Sequence, residues 1–324
     1  MRTCNLTVTL ALVMFLALSA AACGGGGGGG GGSAGGGGGS QVFWPLPPNP
    51  TLVGGSPVKG QARTNTDLVP LALTSAPSDV PLMIDFSGDK NVLVIDKLRG
   101  RTTTIPISDF KIHNNGLITY LGRNNGEGVA LILGGKYNEN NNRLDLQYSN
   151  FGIWLVADNI GEAGGQSLAL NNIKREVYFN MGVAAREARV KDSATFKGAA
   201  VANAYKSDPQ NTTYVPLVGT ASLNVSLLSL ALDFPNFYNL VGSVKNSYGN
   251  LTGDKFTSIT PNGTNTTGIT LSQNPNDYNT NVLTVKTYGA DPTDATEAVG
   301  GFMLEQEFST SKSGIAGSYG LKKQ

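Results

Sequence analysis

The sequence contains very little cysteine and histidine. Among its 324 residues are two cysteines and one histidine. Both cysteines, Cys4 and Cys23, lie in the N-terminal segment interpreted below as an export signal and its cleavage site, so the rest of the chain has no thiol. This excludes a cysteine nucleophile, an iron–sulfur cluster and a cysteine-based zinc site from the folded part. Because His113 is the only histidine, a metal site built from two histidines of one chain is excluded as well.

The sequence also lacks an excess of charge of either sign. It has 24 basic and 23 acidic residues, and removal of residues 1–22 would take away one basic residue, Arg2. Such a balanced chain is not expected to bind nucleic acid or an anionic membrane through bulk electrostatics. No phosphate-binding loop ending in Gly-Lys-Ser/Thr occurs, and nothing near His113 suggests a nucleophile for a Ser-His-Asp set. We therefore predict that the protein is not an enzyme.

The N-terminus has the pattern of a bacterial export signal. A charged start is followed by the apolar run Val8–Leu18, which is too short to span a membrane, and then by small residues that precede Cys23. Small residues before a cysteine resemble a lipobox, so residues 1–22 are predicted to be a signal peptide and Cys23 to carry acyl chains such as palmitate. The alternative is an ordinary signal peptide that is cut near Ala22. Gly24 replaces the aspartate that retains lipoproteins in the inner membrane, which favours the outer membrane.

A long segment without a predicted fold follows the export signal. Residues 23–40 contain the predicted lipidated cysteine and two glycine runs, Gly24–Gly32 and Gly35–Gly39, which have no side chains to bury. A flexible chain of this length has a root-mean-square span of roughly 23 Å. Residues 41–80 contain seven prolines and are predicted to be an extended, stiffer linker. A tether of this kind holds a domain away from the membrane, where it meets external partners; a passive spacer is the alternative.

The body of the chain is predicted to be β throughout. Short apolar runs such as Val92–Ile95, Val129–Leu133 and Ile153–Val156 are separated by segments rich in glycine and asparagine, a pattern typical of strands joined by turns. No convincing helical periodicity is present from residue 81 onward. Residues 81–176 are therefore predicted to form a compact antiparallel β domain.

Residues 177–324 are predicted to form a second β domain. The alternation of apolar residues changes phase between Leu227 and Leu228, which indicates a bulge or a sharp corner. Other strand candidates are Ala194–Gly198, Leu240–Lys245, Thr267–Leu271, Asn281–Thr287 and Ile315–Leu321. Near the C-terminus, one predicted face contains Phe302, Leu304 and Phe308, and the opposite face contains Met303, Glu305 and Glu307. Strands with alternating faces in this number fit a closed, eight-stranded antiparallel β-barrel, in which closure hides the sheet edges.

Four segments of the second domain carry a resemblance to a known family: Ala194–Gly198, Tyr288–Pro292, Glu297–Phe302 and Ala316–Lys323. Their order and spacing resemble the C-terminal barrel of transferrin-binding protein B, in which a strand ends in Tyr-Gly, a Glu-x-x-Gly-Gly-Phe strand follows, and a Gly-x-Phe/Tyr-Gly strand closes the chain. The ending is also similar to factor H binding protein. The resemblance covers roughly residues 180–324. It implies an all-β fold in which residues 81–176 are an N-terminal antiparallel handle domain and residues 177–324 are the barrel.

The motif residues have a physical interpretation of their own. Gly300 and Gly301 place two residues without side chains at a strand start, where a barrel needs close backbone approach, and Gly289 supports a turn. We therefore predict that the following residues specify the barrel rather than contact a ligand: Phe196, Gly198, Tyr288, Gly289, Gly300, Gly301, Phe302, Gly317, Tyr319 and Gly320.

The resemblance also implies a function. Proteins of this kind are lipid-anchored, face the cell exterior and reach the surface with the help of a Slam-type outer-membrane translocon, and different members bind transferrin, lactoferrin, haemoglobin, haem or complement regulators through their loops. Our first hypothesis is a surface lipoprotein whose handle domain and loops bind a host or environmental protein, such as an iron or haem carrier. A hemophilin-like haem-binding lipoprotein and a factor for host colonisation or immune evasion, which would bind an immune regulator, are the alternatives.

His113 is the candidate haem ligand. It lies at a predicted strand end that runs into the turn Asn114–Gly116, and imidazole is a common axial ligand of haem iron. Tyr120, Tyr137 and Tyr148 could assist by stacking. The alternative is that His113 is an ordinary polar surface residue, in which case no cofactor is expected.

Two further features have competing interpretations. Lys97, Arg99 and Arg101 form a basic turn, which either meets an acidic partner or is simply solvated. Trp154 is predicted to lie in the core, whereas Trp44, on the linker, is expected to dock on the handle because an exposed tryptophan is unusual.

Overall fold

The computed structural model describes the chain in separate ranges, which are residues 51–52, 60–64, 67–71, 82–85, 91–97, 99–112, 118–134, 138–139, 142–143, 146–163, 167–182, 187–191, 193–207, 212–244, 256–263 and 269–324. The predicted signal peptide, Cys23, the glycine tether and Trp44 lie outside these ranges. Within them the chain is almost entirely β, and the helical segments are 3₁₀ turns of three residues, Ile107–Asp109 and Pro275–Asp277. No helix in this part of the chain has the length and apolar character needed to cross a membrane.

The strands, in chain order, are β1 (Thr51–Leu52), β2 (Gly60–Thr64), β3 (Asp67–Leu71), β4 (Leu82–Asp85), β5 (Asn91–Asp96), β6 (Arg101–Pro106), β7 (Lys111–Ile112), β8 (Ile118–Asn124), β9 (Glu127–Leu133), β10 (Asn138–Glu139), β11 (Asn142–Arg143), β12 (Ser149–Ala163), β13 (Ser167–Gly182), β14 (Thr195–Ser207), β15 (Thr212–Asn224), β16 (Ser229–Asp233), β17 (Asn239–Val244), β18 (Phe256–Asn262), β19 (Thr280–Leu283), β20 (Lys286–Tyr288), β21 (Glu297–Glu307) and β22 (Lys312–Lys323). They form a two-sheet sandwich and a barrel, together with two short strand pairs, β2-β3 and β10-β11.

The N-terminal sandwich is the handle domain. Its smaller sheet has the order β1-β4-β5-β6, and its larger sheet has the order β13-β12-β9-β8-β7. Alternate residues of β5, among them Val92 and Val94, point into the sandwich, as expected for strands with one buried face. From the larger sheet, Trp154 and Phe179 fill the same core, and Trp154 is 1% exposed. The core position predicted for Trp154 is therefore observed.

The C-terminal half is a near-closed antiparallel barrel. Its strand order is β18-β17-β16-β15-β14-β22-β21-β19, and β20 pairs with the start of β21. Large apolar side chains such as Phe196, Phe302 and Tyr319 fill the interior, so this barrel has a packed core. The predicted fold class, an antiparallel handle followed by an eight-stranded antiparallel β-barrel, is confirmed.

The barrel closes through a side chain rather than through a backbone ladder. Within the described ranges, β18 and β19 share no paired residues. Instead, the amide of Asn281 on β19 accepts a hydrogen bond from the backbone N–H of Ile259 on β18 at 2.8 Å, and donates one to the carbonyl oxygen of Ile259 at 3.1 Å. The primary amide thus takes the place of a peptide group and satisfies the edge of β18.

We expect Asn281→Val to destabilise the barrel by about 1–3 kcal/mol, because the variant leaves a backbone donor and acceptor of Ile259 without partners. Urea unfolding measures this change as a lower midpoint. Asn239→Val, at an exposed position on β17, is the matched control and should change stability by less than about 0.5 kcal/mol. Equal losses in the two variants would contradict the closing role of Asn281.

The larger handle sheet packs directly on the outer wall of the barrel. One shared core joins the handle residues Phe151, Ile153, Leu155 and Tyr178 to the barrel residues Val201, Val299, Met303 and Ala316. Ser318 on β22 also donates a hydrogen bond to the carbonyl oxygen of Gly152 on β12 at 2.9 Å. The larger sheet is therefore buried on both faces, and it links the small sheet to the barrel as the middle of three layers.

The change from handle to barrel differs from the boundary predicted after residue 176. Strand β13 continues in the handle sheet to Gly182, and the first barrel strand begins at Thr195. The charged pair Arg175–Glu176 interrupts the apolar pattern in the middle of β13. Both residues are nevertheless buried. Arg175 pairs with Asp96 of the small sheet, and Glu176 accepts a hydrogen bond from Asn203 of the barrel.

Two local predictions also need correction. The phase change at Leu227 and Leu228 is neither a bulge nor a corner within one strand; it is a hairpin turn, Val225–Leu228, that joins β15 to β16. Leu228 adopts a φ of 49° there, which makes such a tight reversal possible. Of the predicted strand Thr267–Leu271, the described residues Ile269–Leu271 form a loop without strand pairing, in which Ile269 and Leu271 are buried.

Candidate functional site

The family-like motif builds the barrel wall that faces the handle. Gly300 and Gly317 pack against the rings of Tyr319 and Phe302, and each lies so close to a neighbouring carbonyl oxygen that a Cβ would not fit. Tyr288 is fully buried and covers Gly182 of β13. The other motif residues pack in the same way: Phe196 is buried, and Gly198, Gly289 and Gly320 contact neighbouring backbone or rings without space for a side chain, while the backbone of Gly301 is hydrogen-bonded to Thr284.

A buried glutamate joins the start of the handle strand β12 to the barrel. Glu297 is 1% exposed. Its carboxylate accepts hydrogen bonds from the backbone N–H groups of Gln147 at 2.5 Å and Tyr148 at 3.0 Å, and from the hydroxyl of Ser149 at 2.7 Å. Burial raises the pKa of Glu297, and these three donors oppose that rise. The carboxylate thus holds the segment before β12 against the first residue of β21.

One end of the barrel, named the loop end here, gathers exposed polar loops around one exposed aromatic side chain. It comprises the turns Phe234–Tyr238 and Phe308–Ser311 and the loop Ile269–Asn279. Residues 273–277 and 307–310 are exposed, and Phe308 is 53% exposed. A large, exposed aromatic side chain in a turn and within a polar rim is typical of the centre of a protein-binding patch.

The loop end is braced by hydrogen bonds rather than by regular secondary structure. The Gln306 side chain accepts from the backbone N–H of Ser272 at 3.1 Å, and the Asn279 side chain accepts from the backbone N–H of Glu307 at 2.8 Å. The Tyr278 hydroxyl donates to the carbonyl oxygen of Ser272, and burial raises the pKa of this tyrosine. Because the loop is tied to the strand that leads to Phe308, the patch is held in one arrangement before any partner binds.

A two-stranded ribbon of the handle leaves the larger sheet beside the loop end. Strand β9 pairs with β12 only from Gly152 to Ala157, whereas β12 and β13 stay paired with each other as far as Ala163 and Ser167. At its start, β12 lies beside Glu297, and further along it lies opposite Glu176, which accepts a hydrogen bond from Asn203. Strand β12 therefore runs towards the end at which β14 and β21 finish, and its half beyond Ala157 continues without β9 as a partner.

The structure describes only some of the residues that the sequence singled out. His113, Tyr137 and Cys23 lie outside the described ranges, so the haem ligand and the lipid anchor remain predictions. Tyr120 is buried against Phe110, with ring centroids 5.9 Å apart. Among the residues described, no group of three or more histidine, cysteine, aspartate or glutamate side chains is placed to hold a metal ion.

The basic turn is held by an acidic side chain of the same chain. Arg99 and Arg101 both pair with Glu127 on β9, at 2.6 and 2.5 Å. This pairing argues against the interpretation that the turn binds an acidic partner, because two of its three cations already have a counterion.

Sequence reasoning misplaced Phe308 and Glu305. Phe308 was placed on the same face of a predicted strand as Phe302 and Leu304, but β21 ends at Glu307 and Phe308 lies in the following turn. Glu305 was expected to face solvent, but it is 7% exposed and accepts a hydrogen bond from Tyr205 at 2.7 Å. The run Ser309-Thr310-Ser311 directly after Phe308 is the signal that a turn begins there.

Among known proteins, similarity to this chain was found only in solved structures. No protein-family model matches the chain, and no curated protein sequence matches it. It is similar to transferrin-binding protein B of Haemophilus parasuis Hp5 (a Trp-176-Ala mutant described as a vaccine antigen), with TM-score 0.41, 14% identity, and coverage of 82% of this chain and 44% of that one. It is also similar to the isotype 1 protein of serogroup B Neisseria meningitidis, with TM-score 0.38, 14% identity, and coverage of 83% and 44%. For intact Ap-TbpB the values are 0.37, 12%, 75% and 48%. The chain thus spans about half the length of the structures that it resembles.

Proposed function

We propose that this chain is a surface-exposed lipoprotein of the bacterial outer membrane that binds a host or environmental protein through its loop end and the adjoining handle ribbon. In this proposal Cys23 carries the lipid anchor, the glycine tether holds the folded body away from the membrane, and a Slam-type translocon exports the chain. The ligand class that we propose, an iron- or haem-carrying protein, follows from the resemblance of the barrel motifs to transferrin-binding protein B.

The observation that carries the binding function is Phe308. A half-exposed phenylalanine is unfavourable in water, because apolar area is left unburied, and here it opens a turn that neighbouring loops brace. The barrel beneath is a near-closed scaffold, and no other aromatic side chain whose exposure is described is exposed to this degree. A scaffold that positions an aromatic anchor among polar loops is suited to binding rather than to catalysis.

Affinity capture tests this function. The full-length protein is immobilised, host plasma or haemolymph is passed over it, and retained proteins are identified by mass spectrometry. Retention of a transferrin, a haemoglobin or another metal carrier supports the proposed ligand class. Retention of a complement or other immune protein would instead identify the immune-evasion alternative, and an empty column would contradict protein binding in these fluids.

We expect Phe308→Ala to weaken binding of the captured protein by roughly tenfold or more, because a central aromatic anchor contributes most of the energy of such an interface. Surface plasmon resonance measures this loss as faster dissociation. Leu227→Ala is the matched control: Leu227 is 73% exposed in a hairpin turn at the opposite end of the barrel. Equal binding by the wild type and Phe308→Ala would rule out the loop end as the contact surface.

A further inference from the structure

The handle sandwich encloses polar atoms that none of the described residues satisfies. Among the described residues, the Oδ2 atom of Asp96, the Nε and Nη2 atoms of Arg175 and the Nε1 atom of Trp154 are buried without a hydrogen-bond partner. The side chains of Arg175 and Asp96 are 6% and 5% exposed. Buried donors that lack partners destabilise a fold strongly, so a group of them in one place points to a partner beyond the described residues.

These atoms belong to one layer between the two sheets of the handle. Arg175 pairs with Val156 across β12 and β13, and Trp154 pairs with Val177 two residues further along. Antiparallel partners share a face, so all four side chains point towards the small sheet, where Asp96 ends β5. Diagonal neighbours in such a ladder have Cα atoms roughly 7–8 Å apart, which is within reach of long side chains. The arginine and the tryptophan are therefore neighbours in the same buried layer.

The guanidinium of Arg175 presents an unused two-donor edge. Its Nη1 atom pairs with Oδ1 of Asp96, and that same oxygen also accepts a hydrogen bond from the backbone N–H of Arg99 at 3.3 Å. The remaining edge, Nε with Nη2, has the spacing that pairs side-on with two oxygen atoms of one carboxylate. The indole N–H of Trp154 adds a third donor, so donors dominate among the unsatisfied atoms.

The charges around this edge favour an anion. Around the turn that follows β5, three arginines share two carboxylates: Arg99, Arg101 and Arg175, with Asp96 and Glu127. A bound monovalent anion would reduce this local excess of positive charge. Burial lowers the pKa of Arg175, and a second negative charge beside the guanidinium would oppose that change. The site is also close to solvent, because Lys97 and Gly100 of the turn are exposed.

We propose that the Nε–Nη2 edge of Arg175, with the indole N–H of Trp154, is a binding site for a small carboxylate ligand inside the handle sandwich. It is separate from the loop end and does not depend on the function proposed there. The ligand stabilises the handle by pairing with donors that are otherwise buried and unsatisfied, and it thereby couples the order of the two handle sheets to the presence of a small organic acid.

Thermal unfolding of the full-length protein tests the site, with acetate as the probe and sodium chloride at equal ionic strength as the reference. We expect acetate to raise the unfolding temperature by roughly 5–10 °C when its concentration is about a hundred times the dissociation constant. Arg175→Lys keeps the positive charge beside Asp96 but loses the two-donor edge, so the acetate-dependent shift should disappear. Arg189→Lys, at an exposed position, is the control and should retain the whole shift.

A second measurement keeps the proposal testable if Arg175→Lys fails to fold. In a Trp44→Phe variant the fluorescence comes from Trp154 alone, since the chain has two tryptophans. Acetate should change this fluorescence along a saturable curve, whereas chloride should not. A wild-type protein that responds equally to acetate and chloride in both measurements would overturn the proposal and would indicate that water alone satisfies these donors. Retention of the shift in a folded Arg175→Lys protein would overturn it as well.

Discussion

Replacing Phe151 by alanine is expected to lower the stability of the protein by about 3–5 kcal/mol, the range for removal of a fully buried phenylalanine. Phe151 is 0% exposed at the interface between the handle sheet and the barrel. Its ring fills the space that Gly134 on one side and Gly320 on the other leave open. Neither glycine has a side chain that could move into the cavity, so the site cannot collapse around the smaller residue.

The same substitution should also separate the unfolding of handle and barrel. In a Trp44→Phe background, where tryptophan fluorescence reports on Trp154 of the handle alone, one core links both parts, so unfolding followed by fluorescence should coincide with unfolding followed by circular dichroism. In Phe151→Ala the fluorescence transition should occur at lower urea than the far-ultraviolet transition. Phe308→Ala is the control, because that ring is half exposed. Coincident transitions and a loss under about 1 kcal/mol would show that the two parts do not share a cooperative core.

Much of the architecture could be predicted because its cause is local. Apolar runs of four to six residues between glycine- and asparagine-rich turns are strands whether or not their partners are known. The alternation along β5 marks a strand with one buried face. The Glu297–Phe302 segment and the closing Ala316–Lys323 segment lie on neighbouring strands, β21 and β22, as the order of the motifs suggested.

The outer wall of the barrel could not be predicted, because its burial depends on a sheet that is distant in the sequence. Met303 and Glu305 lie on the side of β21 opposite the barrel core, and in an isolated barrel they would face water. The handle sheet covers that wall, so Met303 is buried. Glu305 is buried as well, and it accepts a hydrogen bond from Tyr205 of β14 within the same wall. All residues of β21 from Glu297 to Gln306 are buried, because the barrel core covers one face of the strand and the handle sheet covers the other. Alternation of apolar and polar residues in the sequence cannot reveal this second covering layer.

The candidate site was predictable only in outline. Sequence reasoning placed binding on the handle and the loops, but it grouped Phe308 with the apolar face of a strand. Phe308 continues the alternating apolar pattern one step beyond the end of β21 at Glu307. The juxtaposition at the loop end depends on register: Ser207 of β14 lies opposite Lys312 of β22, which sets the β21–β22 turn beside the end of β14. No local pattern contains that information.

Asp96→Asn is expected to destabilise the protein by about 3–5 kcal/mol, because it leaves the Arg175 cation buried without its counterion. Asp96 and Arg175 form a buried ion pair that joins β5 of the small sheet to β13 of the larger one. Burial raises the pKa of Asp96, and Arg175 is the strongest influence that opposes the rise. Urea unfolding in a buffer without carboxylates measures the loss. Asp233→Asn, an exposed position on β16, is the control and should be nearly silent.

Replacing both members of the pair, as Asp96→Val with Arg175→Met, should recover most of the stability that Asp96→Asn loses. A buried ion pair contributes little net stability when the desolvation of both ions offsets their attraction. Here the cost of desolvation exceeds the attraction between the ions, because three atoms of the pair have no hydrogen-bond partner. An apolar pair of similar volume removes those atoms and extends the core formed by Val94, Val156 and Val177. A double variant that is less stable than Asp96→Asn would show instead that the ion pair itself holds the two handle sheets in register, as double-mutant analysis would quantify.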